Sequence, residues 1–155
     1  MVAGTALVGI SAADYTAAAV EQGAPFRILG VAMQKNPFVI ASLPGNPAGP
    51  AGKRLGMALA NMPVLQALCT LNTVDMTTIQ VVPIQYSPQP LLAGEVDCLS
   101  CWETDLPVAM AVQGIDSVTM LMADHGYALH SQTYIATSDS LAHRRAELRA
   151  LWAAR

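Results

Sequence analysis

Apolar residues in this chain come in short runs cut off by turn-forming clusters, with little sustained helical striping. Thr5 to Ile10 (TALVGI), Phe26 to Met33 and Phe38 to Leu43 have the length and apolar character of strands. So do Lys53 to Ala58, Ile79 to Ile84, Val96 to Cys101, Ser117 to Ala123 and Gln132 to Thr137. Helical segments fall between them. Ala12 to Gln22 is alanine-rich and stops at Gly23, with Ser11 placed to cap its start. Asn61 is the expected N-cap of a helix reaching about Leu71, with Pro63 in its first turn. Asp75 to Thr78 is a connector. Pro90 to Ala93 predicts one helical turn ended by Gly94, and another helix ends near Gly114. Ser138 or Asp139 is expected to cap a final helix carrying Leu141, Leu148, Leu151 and Trp152. Strands alternating with helices predict an α/β fold with mainly parallel sheets and helices on both faces.

Breakers divide the chain. Pro44 to Gly52 (PGNPAGPAG) must be a loop or crossover, and Asp124 to His130 forms a second turn. Together they bracket a central block, so the expected organisation is two lobes: residues 1–51 with 124–155, and residues 52–123. Of the 155 residues, 53% are hydrophobic and 12% charged, which suits strands covered on both faces. The net charge of −3, with one dense basic run at His143-Arg144-Arg145, excludes the footprint of a nucleic-acid binder. No apolar run is long enough and free enough of Pro or charge to span a membrane. Met1-Val2-Ala3-Gly4-Thr5 has no basic n-region, so as written the polypeptide reads as cytoplasmic. Its first strand starts only a few residues from Met1, as in a chain that begins inside a larger fold.

The candidate chemistry gathers where strands run into helices, because the first helical N–H groups lack internal partners and the helix dipole is positive there. Ile10-Ser11, Leu59-Ala60-Asn61-Met62 and Trp102-Glu103-Thr104 are three such junctions. Trp102 and Glu103 supply a flat apolar face and a fixed acceptor; the plainer reading is that Trp102 packs under a loop and Glu103 improves a helix start. Cys98 and Cys101 have C-x-x-C spacing, but residues three apart on a strand point to opposite faces. With no second pair to complete a zinc site, they read as buried apolar cysteines. Three cysteines are too few for a disulfide framework. His125 and His130 flank Tyr127 in a turn without metal-ligand spacing, and no phosphate-binding loop or nucleophile elbow is present.

The segments VGISAADYTAAAVEQGAPFRILGVAMQKNP, GKRLGMALANMPVLQALC, PIQYSPQPLLAGEVDCLSCWETDLP and ADHGYALHSQTYIATSDSL together resemble the periplasmic substrate-binding proteins of importers for thiamine-pyrimidine precursors, nitrate, sulfonates and taurine. The resemblance covers nearly the whole chain and rests on the order and spacing of its motifs. It implies a type II periplasmic-binding-protein-like clamp of two α/β lobes. Such a protein has no cofactor, closes on a small molecule and delivers it to an ABC permease. By position, it implies ligand contacts from Ser11 and Gln34 in one lobe, from Asn61, Met62, Trp102 and Glu103 in the other, and from Tyr127 and His130 at the return crossover. An aromatic face with a carboxylate suits an amine-bearing heterocycle such as an aminopyrimidine; a nitrate or sulfonate would leave Glu103 awkward. Relatives begin with a further strand–helix–strand–helix stretch and an export signal. A first lobe without that stretch is expected to be incomplete and to self-associate as a homo-oligomer. Two rival readings follow: a self-associating module without a cleft, and an enzyme resembling the pyrimidine synthases built on this fold.

Overall fold

The computed structural model describes residues 3–47 and 49–154. The Met1-Val2 opening, and Ala48 within the Pro44–Gly52 loop, lie outside the described residues. Contacts divide the chain into two compact units, Met1–Lys35 with Leu129–Arg155, and Asn36–Ala128.

The outer unit carries β1 (Gly9–Ser11), α1 (Ala13–Glu21) and β2 (Phe26–Met33), followed after the central unit by β8 (Ser131–Thr137), α5 (Ser138–His143) and α6 (Arg145–Ala153). Its three-stranded sheet has the order β1-β8-β2, and both pairings are antiparallel. The register slips between Ile28 and Gly30, which leaves Leu29 as the bulged residue. Gly30 has a packing reason: a side chain there would run into the indole of Trp152, which itself meets Tyr134 edge to face at 5.8 Å.

Three local expectations are corrected here. Ser11 does not cap α1; the N-cap position is Ala12, and Ser11 is held in β1, where its carbonyl accepts the Thr133 hydroxyl at 2.8 Å. The cap of α5 is Thr137, whose Oγ1 accepts the Ser140 N–H at 3.1 Å, ahead of either expected residue. The single final helix is two helices broken at Arg144, whose backbone (φ −124°, ψ 30°) leaves the helical region and whose guanidinium pairs with Glu147.

The central unit holds β3 (Phe38–Ser42), β4 (Arg54–Met57), α2 (Met62–Leu71), β5 (Gln80–Pro83), α3 (Gln89–Leu92), β6 (Cys98–Trp102), α4 (Leu106–Val112) and β7 (Val118–Leu121). Strand order is β5-β4-β6-β3-β7. β4 pairs in parallel with β5 and β6, while β3 pairs antiparallel with both β6 and β7. Four strands therefore share one direction and β3 alone runs against them. The α/β class stands, but the pairing is mixed where mainly parallel sheets were expected. Helix-containing crossovers link the co-directional strands β4 to β7 in sequence, whereas β3 enters from the other unit and inserts between two of them. The sequence boundary put Phe38–Ser42 with the outer segments; in the structure this strand is the one between β6 and β7.

The reason lies in its composition. Val39, Ile40 and Ala41 are fully buried, so a continuous apolar run fills a central position covered on both faces. Val39, Ala41, Leu99 and Cys101 form one face of the core with Leu91, Val96, Leu106 and Met110. Burying each large aliphatic chain of that kind contributes about 1.5–3 kcal/mol. Near the amino ends of β4 and β6, the Asp97 carboxylate accepts the Arg54 backbone N–H at 2.8 Å and its guanidinium at 2.7 and 3.1 Å. That contact fixes the β4–β6 register.

Candidate ligand site at the carboxyl ends of the central strands

β4, β5 and β6 lie side by side and end along one edge of the central sheet. Beyond β4 come a 3-10 turn, Leu59–Asn61, and the start of α2. Beyond β5 comes Gln85-Tyr86, and beyond β6 the group Glu103-Thr104-Asp105. Met57, Ala58, Ile84, Tyr86, Ser100 and Leu106 line a small notch there. The carboxyl edge of co-directional strands is where open α/β sheets hold ligands.

Four groups define its chemistry. Trp102 is half-buried at the end of β6 and meets Phe38 edge to face, ring centres 6.1 Å apart. Its backbone N–H donates to Tyr86 Oη at 2.9 Å. The Glu103 N–H donates to the Pro37 carbonyl at 2.9 Å, and the Glu103 side chain is exposed. Burial, first, holds the Tyr86 phenol above its ordinary range; the Trp102 N–H pulls the other way, and Cys101 and Asp105 add to the upward shift. The edge is thus aromatic and acidic, and among the described residues no lysine or arginine lines the notch.

The sequence-predicted residues separate into groups. Asn61 and Met62 are half-buried at the start of α2, on the same edge but outside the notch lining. Asn61 occupies the N-cap position of α2 without a side-chain cap bond. Tyr127 belongs to the central unit and is only 5% exposed, so its ring is part of the packing. Ser11, Gln34 and His130 belong to the outer unit, where His130 Nδ1 lies 2.7 Å from the Gln34 carbonyl. The free backbone donors expected at the Trp102–Glu103 junction are already used by Tyr86 and Pro37. Tyr86, Phe38 and Asp105 were not singled out from the sequence; an aromatic directly after a strand end, in IQYSP, was the one available signal.

Cys98 and Cys101 are buried, free and on opposite faces of β6, since Cys101 pairs with Val39 on the core face. Burial pushes their thiols up to about 11 and about 12. Among the described residues, no group of three or more His, Cys, Asp or Glu side chains is placed to hold a metal ion.

The NMT1/THI5-like family matches residues 1–155. The chain belongs to that family. Solved structures share its fold. The periplasmic aliphatic sulphonate binding protein SsuA from Escherichia coli superposes with a TM-score of 0.74 at 16% identity, over 97% of this chain and 54% of its own. The periplasmic sulfonate-binding protein of a sulfonate ABC transporter from Methylobacillus flagellatus gives 0.67 at 12% identity, over 93% and 46%. The alkanesulfonate-binding protein SsuA from Xanthomonas axonopodis pv. citri, bound to MOPS, gives 0.59 at 18% identity, over 90% and 51%. The chain therefore spans about half the length of these binding proteins. Among curated proteins none is significantly similar in sequence. The fold is that of the substrate-binding receptors of ABC importers, and no helix among the described residues is long and apolar enough to cross a membrane.

Proposed function

We propose that this chain is a non-catalytic solute-binding protein of the ABC-importer receptor type, and that its ligand is a flat, amine-bearing heterocycle of the thiamine-pyrimidine class. The observation that carries this reading is the juxtaposition of Trp102, Tyr86, Glu103 and Asp105 at one strand edge. An aromatic ledge offers stacking, and a carboxylate accepts charge-assisted hydrogen bonds from a ring amine. The same group disfavours a sulfonate or nitrate, which would meet carboxylates while the Trp102 and Glu103 amides are already engaged. Asn61 and Met62 are proposed as further contacts on this edge; Ser11, Gln34, Tyr127 and His130 enter the proposal from sequence position alone. A permease partner belongs to the same proposal.

The test uses the Trp152→Phe background, so that fluorescence reports Trp102. Titration with 4-aminopyrimidine derivatives should quench or shift the emission saturably, and Glu103→Gln should weaken that response about tenfold, the loss of one charge-assisted hydrogen bond. Saturable binding of ethanesulfonate in place of the pyrimidines would overturn the ligand assignment, and silence toward every ligand would overturn the receptor reading.

Self-association is a second part of the proposal. Ile10 and Ile28 are 61% and 48% exposed on β1 and β2, the two outer strands of the outer unit's sheet. Light scattering should find a dimer or larger species; a monomer at micromolar concentration would refute it.

A further inference from the structure

The central unit holds a second cavity that the proposed ligand site does not use. It is an open-mouthed cleft of about 420 Å³ between the loop before β4, the C-terminal end of α2 and Met120 of β7, and it shares no lining residue with the notch beside Tyr86. That volume lies within the range of about 300–1,000 Å³ typical of small-molecule sites. Its walls are mostly aliphatic, from Pro50, Ala51, Leu68, Val74 and Met120.

The polar atoms around it are mostly engaged. The Asn72 amide donates to the Leu68 and His125 carbonyls, both at 2.8 Å. At the end of α2, the Leu68 and Cys69 carbonyls accept the Asn72 and Val74 N–H groups, so they offer no open acceptor. Burial raises the Cys69 thiol, which therefore stays neutral. The fixed charge in the lining is the Lys53 ammonium, which donates to the Pro47 carbonyl. Its neighbour Asp97 is already bound on both oxygens by Arg54. An apolar cavity with one ammonium complements an apolar molecule with one anionic end.

We infer that this cavity is a second ligand site, for an aliphatic carboxylic acid, with the chain against Leu68, Val74 and Met120 and the carboxylate on Lys53. The pairing adds a charge-assisted hydrogen bond to the burial of the chain.

Decanoate, kept below its micellar concentration, and decanol are titrated into the full chain while the Met120 methyl resonance is followed by NMR. Decanoate should shift it saturably. Lys53→Met should weaken decanoate about tenfold while leaving decanol unaffected. Ala51→Trp, a change in an exposed loop, should fill the cavity and abolish both. Trp102→Ala should leave decanoate binding unchanged, which separates this site from the pyrimidine site. No saturable shift with decanoate, or equal decanoate affinity in Lys53→Met, would overturn the inference.

Discussion

The Tyr86 hydroxyl accepts the backbone N–H of Trp102 at 2.9 Å, tying the loop after β5 to the end of β6 across the intervening strand β4. This contact spans the edge on which the proposed ligand site is built, so it sets where the indole of Trp102 stands relative to Glu103. Tyr86→Phe removes the acceptor but keeps the ring. Stability should fall by about 0.5–1.5 kcal/mol in urea unfolding, the net worth of one such bond. Pyrimidine binding should weaken through a mispositioned Trp102, and an unchanged affinity would show that the contact is structural only.

Asp97 is held well below the usual carboxylate range, at about 2, by side-chain and then backbone hydrogen bonds from Arg54. A carboxylate depressed in the folded state stabilises it above the unfolded value, near 4, and loses that contribution as pH falls toward 2. The urea midpoint should therefore drop between pH 4 and pH 2, and Asp97→Asn should flatten the drop. The pair is about one-third exposed, so solvent screening keeps the effect modest.

Gly56 stands where β4 faces the core. A Cβ there would lie 2.8 Å from Ile84 Cδ1 and 2.9 Å from Leu99 Cδ2. Gly56→Ala should overpack this layer and cost about 1–3 kcal/mol, read as a lower urea midpoint with the m-value unchanged.

Gly30 makes the same argument in the outer unit, with a softer neighbour. A Cβ there would lie 2.6 Å from Trp152 Cζ2, and the indole is 45% exposed and able to swing away. Gly30→Ala should displace it from Tyr134, at a cost of about 0.5–1.5 kcal/mol. In a Trp102→Phe background, Trp152 emission should move to the red; unchanged emission would show that the sheet shifts in place of the ring.

Legibility followed how local each signal is. β2 was read with its observed bounds because a mostly apolar run, interrupted only by Arg27 near its start and flanked by turn residues, needs no partner to be recognised. Cys98 and Cys101 were read as buried, which needs only a strand covered on both faces. The caps were less legible. Ser11 is a good cap by residue type, but β1 pairs with β8 through Ser11 and Thr133, and the ladder took the residue the helix would have used. Tyr86 went unnoticed because its partner Trp102 lies 16 residues away, on a strand it reaches only by passing over β4.

The sequence by itself determined the strands, all but one of the helices, the α/β class and the aromatic–acidic makeup of the Trp102 segment, since composition and spacing along the chain encode these directly. Only the tertiary structure decided that β3 runs against its neighbours, that the Trp102 and Glu103 amides are already engaged, and that a cavity opens beside Lys53. Each depends on contacts between segments far apart in the chain, where burial of apolar faces and satisfaction of backbone donors select one arrangement from several that the local pattern allows.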